Sequence, residues 1–243
     1  MSHFLKDYLQ QELKQVQWLV AKEFEMDYNA ASNSIILNDK VFDHLGPLLI
    51  LAFSKSHADS KKAYILATAI YFILLGHDIH QQQNNNLTLN VLFGDYFYTK
   101  FFDYLYKYDL LRWADDFSNI ICQLQESAII KSQNSYRSLP PVKLEEVIDK
   151  DYANICELCS YIGGSLIQLD ETTLLKLKHF GKNVGRSIYL SNLEIETNLA
   201  FKYLFEASRE LASINGFMPK KTMLTLLEQI KSKLEKLKIE VAV

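Results

Sequence analysis

One carboxylate between two imidazoles ends the most apolar part of this chain, in the stretch Leu74-Leu75-Gly76-His77-Asp78-Ile79-His80. The apolar run that leads into it, Ala63–Gly76, has 14 residues. A membrane-spanning helix needs roughly 18 to 20 residues, so this length predicts a buried core helix and no membrane span. A carboxylate beside histidines suits a metal ion or a diphosphate. His77, Asp78 and His80 are therefore the first candidates for a functional site.

The composition is that of an ordinary folded protein. With 243 residues, 49% hydrophobic and 23% charged, the chain can form one domain over residues 1–243 with a sizeable core. The formal net charge of -3 gives no sign of the basic surface that binds nucleic acid. No apolar run within Met1–Gln17 could serve as a secretory signal, and we expect a cytoplasmic protein.

Hydrophobic residues recur with the period of an α-helix along almost the whole chain, which predicts an all-α bundle. The predicted helices are Phe4–Glu25, Val41–Ser54, Lys61–His80, Leu87–Tyr108, Leu110–Ser132, Leu144–Ile167, Glu171–Glu194, Glu196–Ile214 and Pro219–Lys238. Helix breakers are predicted at Gly46-Pro47, Gln81–Asn86, Ser138–Pro141, Gly163-Gly164 and Gly216 with Pro219.

The cysteines predict packing rather than chemistry. Of the three cysteines, Cys156 and Cys159 form a C-x-x-C pair about one helical turn apart. A zinc site would need a second such pair or a nearby histidine, and the sequence offers neither. Free cysteine is usually buried, so we expect two buried side chains on one helix face.

One interpretation of the His-Asp pair is a metal-dependent phosphohydrolase of the HD type, whose L-L-H-D-I-G hallmark Leu74–Ile79 resembles. One His-Asp pair leaves a divalent ion mostly to water, so such a site needs further ligands. The candidates are His44 or His57 upstream and Asp115 or Asp116 downstream. However, Gly76 separates the leucines from the histidine, and nothing after Asp78 resembles that family.

A second interpretation rests on more of the chain. Four segments resemble, in the same order, those of the trans-polyprenyl diphosphate synthases: Gly46–Ala52, Leu74–Asp78, Gly94–Tyr96 and Ile162–Leu193. The best agreement is Tyr161–Leu166 followed by His179–Tyr189, which resembles that family's G-A-x-L helix and its F-G-x-x-L-G-x-A-F-Q segment. The resemblance implies an isoprenoid synthase bundle, shortened before Ala200.

The glycines of these segments also have a physical reason. Gly181 and Gly185 are four residues apart, so they lie on one helix face and let another helix approach closely. Together with Gly94, Asp95 and Gly163 they form the family-like structural motif. It is their order along the chain that favours the synthase interpretation.

The acids that this family uses are mostly missing. Its enzymes ionise an allylic diphosphate with magnesium held by D-D-x-x-D motifs, since acids at i, i+1 and i+4 of a helix can hold metals against the leaving group. The first motif corresponds to Asp78, Ile79 and Gln82, so one carboxylate of three is present. The second falls at Leu190–Glu194, which has no aspartate. Arginines after Asp78 and a basic cluster before Pro47 are missing as well.

The resemblance therefore implies the non-catalytic small subunit, component I, of a heterodimeric heptaprenyl or hexaprenyl diphosphate synthase. The partner would be the catalytic subunit, in a heterodimer or a larger assembly, and it would hold Mg²⁺ and both diphosphates. This chain would have no catalytic residue, no metal and no cofactor of its own. His77, Asp78 and His80 would be the remains of the first aspartate-rich motif. The pathway implied is menaquinone side-chain synthesis.

The aromatic segment Leu87–Tyr108 is the expected contact with the partner. Its aromatic residues are spread around more than one helix face, which indicates burial on several sides, either in the core or against the partner. Such a helix could also shape the tunnel of the growing prenyl chain. A further alternative is a stand-alone helical scaffold or lipid-binding protein without a partner enzyme.

Overall fold

The computed structural model describes residues 3–27, 39–55, 60–82, 87–216 and 219–241. Its helices are α1 (His3–Tyr8), α2 (Gln10–Asp27), α3 (Leu45–Ser54), α4 (Ser60–Gln81), α5 (Leu87–Lys107), α6 (Ala114–Gln133), α7 (Pro141–Ile148), α8 (Asn154–Leu166), α9 (Glu171–Leu193), α10 (Thr197–Ala212) and α11 (Lys220–Val241). Short 3-10 turns lie at Asp39–Asp43, Leu111–Trp113 and Tyr136–Ser138, and a π-helical turn at Asp149–Ala153. These ranges contain no β-strand, and the prediction of an all-α fold is confirmed.

The central helix of the bundle is α4. It packs against α2, α3, α5 and α6, and every residue from Ile65 to Gly76 is buried. The stretch Lys61–Gln81 is long and apolar enough to cross a membrane by length and composition. However, 78% of the 18-residue segment that meets this criterion is buried inside the protein. The apolar run Ala63–Gly76 is therefore part of a core helix, as predicted.

One predicted helix is divided in the structure. The segment predicted as Leu144–Ile167 consists of α7, the π-helical turn and α8 in succession. It begins earlier, at Pro141, because the fixed φ and missing N–H of proline suit a first helical turn.

Two predicted breakers lie inside helices. Pro47 is in the first turn of α3, where its missing N–H removes no helical hydrogen bond. Gly163 is inside α8, where a Cβ would lie 2.7 Å from a ring carbon of Phe53. Close packing of α8 against α3, rather than a break in the helix, explains this glycine.

The closest approach of α8 and α9 is at Gly181 and Gly185. A Cβ on Gly181 would lie 2.2 Å from Ser160 Oγ and 2.4 Å from the carbonyl oxygen of Cys156, and one on Gly185 would lie 2.9 Å from Ala153 Cα. Backbone atoms cannot move aside as a flexible side chain can. Glycine at both positions is therefore what lets the two helices meet.

Cys156 and Cys159 are free and fully buried, as predicted. Burial raises the pKa of both thiols, so they are protonated at neutral pH. A Cβ on Gly46 would lie 3.1 Å from Cys159 Sγ, which places this thiol in the contact between α8 and α3. Both cysteines act as small packing residues.

The connection from α9 to α10 is short and tightly bent. Glu194 and Glu196 have φ values of 55° and 48°, the left-handed conformation that few non-glycine residues adopt. α10 then begins at Thr197. Three residues, Glu194–Glu196, thus join the two helices.

Candidate functional site

A cavity of about 410 Å³ lies beside the C-terminal part of α4. Its wall includes Asp43 and His44 before α3, His77 and Asp78 of α4, Lys131 of α6 and Asp151 of the π-helical turn. All of these side chains can form hydrogen bonds. Val41, Leu74 and Leu124 also line the cavity, so it offers both polar and apolar contacts.

Two of the three predicted site residues, His77 and Asp78, lie on this cavity. Burial lowers the pKa of His77 to about 4, so its imidazole is neutral near pH 7. His77 Nδ1 is buried and has no hydrogen-bond partner in the described part of the chain. His77 thus offers the cavity a neutral nitrogen and no positive charge.

His44 forms another part of the wall, and the start of α3 fixes its tautomer. Its Nδ1 accepts a hydrogen bond from the backbone N–H of Gly46 at 3.1 Å, and its ring centre lies 4.1 Å from that of Tyr152. Burial lowers the pKa of His44 to about 3, so its single proton is on Nε2. This buried Nε2 has no partner among the described residues, and it presents a hydrogen-bond donor rather than a lone pair for a metal.

Asp151 is extensively hydrogen-bonded within the chain. Lys131 Nζ lies 2.5 Å from one carboxylate oxygen and Tyr189 Oη 2.5 Å from the other, while Ser127 Oγ lies 3.2 Å from the first. The hydroxyl of Tyr189 also bonds to that of Tyr136 at 2.7 Å. Lys131 therefore supplies this cavity acid with a counter-charge from the same chain.

The second acid of the π-helical turn anchors it to α9. Asp149 accepts two hydrogen bonds from the guanidinium of Arg186, both at 2.6 Å, a bidentate geometry that is among the stronger ones. This pairing raises the pKa of Arg186. Lys182 Nζ lies 3.6 Å from the same carboxylate, so both acids of the turn have cations within the chain.

Comparison of the sequence with known protein families and with curated proteins finds no match. Comparison of the structure with solved structures does find matches. The chain is similar to a decaprenyl diphosphate synthase from Rhodobacter capsulatus, with a TM-score of 0.78 and 13% sequence identity. The match covers 96% of this chain and 98% of that chain. The chain has the trans-prenyl diphosphate synthase fold.

Two further structures with this synthase fold belong to heteromeric enzymes. The geranyl diphosphate synthase small subunit from Antirrhinum majus has a TM-score of 0.62 and 16% identity, with 90% of this chain and 98% of that chain covered. A deletion mutant of heterotetrameric geranyl pyrophosphate synthase from mint has a TM-score of 0.65 and 16% identity, with 88% and 98% covered.

Residues from both segments in which the aspartate-rich motifs were expected lie on this cavity or next to it. Asn192 lines the same cavity as Asp78, whereas Ile79 and Ser191 are buried. In residues 3–27, 39–55, 60–82, 87–216 and 219–241, no group of three or more His, Cys, Asp or Glu side chains could hold a metal ion. The residues present do not fit a magnesium–diphosphate cluster, because two of the three acids on the cavity wall are already paired, Asp43 with Lys6 and Asp151 with Lys131.

His80, the third predicted residue, lies on the side of α4 that faces α5 of the synthase fold. Its Nε2 is 3.3 Å from Asp95 Oδ1, and its ring centre is 5.2 Å from that of Tyr98. A Cβ on Gly94 would lie 2.3 Å from the same Nε2, so glycine is needed there to make room for the imidazole. The structure thus brings His80, Gly94 and Asp95 together in a cluster at the α4–α5 contact.

The described residues do not assemble the ligands of an HD-type hydrolase. Asp115 and Asp116 are exposed in the first turn of α6, while Leu124 and Lys131 are the α6 residues on the cavity. His57 lies outside the described residues. This arrangement, together with the synthase fold, does not support the hydrolase.

Sequence reasoning missed Lys131 and Asp151 as cavity residues. One signal was available for the lysine: Ser127 and Lys131 continue the buried face that Ile120 and Leu124 begin, at helical spacing. Polar residues on such a face need partners. No comparable pattern points to Asp151, because its orientation depends on a π-helical turn.

Proposed function

We propose that this chain is a catalytically deficient small subunit of a heteromeric trans-polyprenyl diphosphate synthase. The observation that carries the proposal is the cavity at His77 and Asp78, where the Asp151 carboxylate is bound by Lys131 of the same chain. Magnesium is held through oxygen ligands, carboxylates among them. An ammonium already bonded to a carboxylate competes with a metal for the same oxygens.

The chemistry of prenyl transfer supports a division of labour between two chains. Ionising an allylic diphosphate needs concentrated positive charge at the leaving group. The neutral imidazoles of His44 and His77 cannot supply that charge. In this proposal the catalytic partner holds Mg²⁺ and both diphosphates, and this chain contributes a folded surface to the assembly.

The proposed contact surface is the apolar face of α5, defined by Leu87, Val91, Leu92, Phe102 and Tyr106. These residues are 51% to 69% exposed. At about 100° per residue they lie within less than half of the helix circumference. Apolar residues grouped on a surface mark interaction sites, and the heteromeric enzymes among the similar structures support a catalytic subunit as the occupant.

The opposite face of α5 packs into an aromatic core. Phe72, Phe97, Tyr104 and Phe117 are each at most 1% exposed, and the ring of Phe72 lies 6.0 Å from that of Phe97 and 5.4 Å from that of Tyr104. These rings form a closely packed aromatic core between α4, α5 and α6. We therefore place any influence on product length in the apolar face of α5, which would border the partner's tunnel.

The remaining parts of the proposal follow the resemblance. A long-chain synthase of this kind acts in isoprenoid biosynthesis, and we propose the menaquinone side chain as the product's use and the cytoplasm as the location. The alternative of a stand-alone scaffold or lipid-binding protein predicts that no synthase binds this chain.

Reconstitution tests the proposed function. The chain alone, with farnesyl diphosphate, isopentenyl diphosphate and Mg²⁺, should give no prenyl transfer. Activity should appear when a synthase that carries both aspartate-rich motifs, from the same organism, is added, and the two chains should co-purify. Robust turnover by this chain alone would contradict the proposal, as would failure of the two chains to associate.

A further inference from the structure

The apolar face of α5 has a carboxylate at its centre. Asp95 lies one helical turn after Val91 and Leu92 and one turn before Tyr98. Phe102 follows Tyr98 by one further turn on the same side of α5. Its side chain is 66% exposed. Taking a carboxylate out of water is costly unless a cation or several hydrogen-bond donors meet it. Any protein that covers this face must therefore provide for Asp95.

We propose that Asp95 binds a cationic side chain of the partner subunit, a guanidinium or an ammonium, and thereby fixes the partner's position on the apolar face of α5. The inference rests on the function proposed above and adds the chemistry of the partner's surface: one cation among mostly apolar side chains, with Thr88 and Thr99 also exposed on this side of α5. Arginine is enriched in interface cores, and its planar fork matches a carboxylate. An opposite charge at this point also excludes partners that present an acid there.

The carboxylate contacts the helix beneath it. Nε2 of His80 in α4, whose side chain is only 17% exposed, lies 3.3 Å from Asp95 Oδ1. This contact favours some orientations of the carboxylate over others, and a side chain with fewer orientations before binding loses less entropy when the complex forms.

A second acid on α5, Asp103, differs from Asp95 in having lysines of this chain close to it. Asp103 is as exposed as Asp95, at 64%, but it has lysines one turn away on either side, Lys100 and Lys107. Lys100 Nζ lies 3.8 Å from its carboxylate. Asp103 therefore has an ammonium of this chain beside it, whereas Asp95 lies beside the imidazole of His80. This contrast makes Asp103 a matched control.

The test measures the affinity of this chain for the synthase that carries both aspartate-rich motifs, by calorimetric titration at low and at high salt. Asp95→Asn keeps the shape and removes the charge, and it should raise the Kd by about tenfold or more at low salt. Asp95→Glu should restore most of the affinity, and Asp103→Asn should stay within about twofold of the natural chain. The penalty of Asp95→Asn should shrink in high salt.

Each outcome separates the two proposals. Equal affinity of Asp95→Asn and the natural chain, with both chains folded by circular dichroism, would overturn the role of Asp95 and leave the proposed function standing. Equal losses in Asp95→Asn and Asp103→Asn would also overturn it, because general acidity would then explain the effect. Failure of the natural chain to bind the synthase would overturn both.

Discussion

Lys131 Nζ lies 2.5 Å from Asp151 Oδ1, and the two side chains are only 23% and 12% exposed. The pair spans the cavity wall, from α6 to the π-helical turn. Both residues line the cavity beside α4. The Asp151 carboxylate therefore has a counter-charge from the same chain.

Removing this ammonium should destabilise the fold. Lys131→Met leaves Asp151 partly buried with hydroxyl donors alone, from Ser127 and Tyr189. We expect a loss of about 1–3 kcal/mol in the free energy of unfolding, measured in urea at pH 7. Lys231→Met is the control, because the Lys231–Glu235 pair is exposed and should cost no more than about 0.5 kcal/mol. Equal losses in the free energy of unfolding would show that the Lys131–Asp151 pair stabilises the fold no more than the exposed Lys231–Glu235 pair does.

Magnesium should not stabilise the isolated chain. No described group of side chains could hold the ion, and a ligand that binds only the folded state raises the melting temperature. We expect the same melting curve with millimolar Mg²⁺ and with a chelator, in the presence or absence of inorganic diphosphate. A saturable rise in melting temperature that Asp78→Asn abolishes would show that a working metal site remains at Asp78.

The helical frame could be predicted from the sequence because it depends on repetitive patterns. Apolar periodicity located α4 and α9 to within a few residues, and the glycines at 181 and 185 indicated a close helix contact. The divided helix at Asp149–Ala153 could not be predicted, because a π-helical turn has no simple sequence pattern.

The contact at Gly181 should tolerate no side chain. Gly181→Ala would place a Cβ against the backbone of Cys156 as well as against Ser160 Oγ, so we expect a loss of about 1–3 kcal/mol or more. Gly164→Ala is the control, since its Cβ would meet only the flexible ends of Leu174 and Leu177. Thermal unfolding of both variants checks the order, and an equal or larger loss in Gly164→Ala would contradict the packing described for α8 and α9.

Acid should destabilise the protein through its two buried histidines. The pKa values of His44 and His77 in the folded chain are about 3 and 4, below their ordinary value of 6.5. As the pH falls below about 6.5, the unfolded chain takes up protons that the folded chain does not. Stability should therefore be complete above pH 6.5 and decline toward pH 4, by about 1.4 kcal/mol per pH unit for each histidine.

A single substitution isolates the contribution of His44. His44→Asn keeps a side chain that caps the start of α3 and removes the titrating imidazole. The decline between pH 6.5 and 4 should become shallower by about 1.4 kcal/mol per pH unit. A variant at position 44 with the same decline as the natural chain would contradict the buried neutral imidazole.

The candidate site was less predictable than the fold, for a physical reason. His77 and Asp78 adjoin on one helix, so their shared location could be inferred from the sequence alone. His80 contacts Asp95 of α5 instead, although it is three positions after His77 and therefore its neighbour on the helix surface. The packing of α5, which the spacing on α4 does not reveal, decides this contact. The partners Lys131 and Asp151 come from separate elements, and only the packing of α6 against the π-helical turn brings them together.

The central claim is that this chain supplies no catalytic carboxylate, and reconstitution with site-directed variants tests it most directly. Prenyl transfer from radiolabelled isopentenyl diphosphate is measured for the mixed chains with Asp78→Ala in this chain, or with the aspartates of the first motif replaced in the partner. We predict that Asp78→Ala keeps most of the activity of the mixture, whereas the partner's variant loses it. Loss of prenyl transfer with a folded, partner-bound Asp78→Ala chain would contradict the claim.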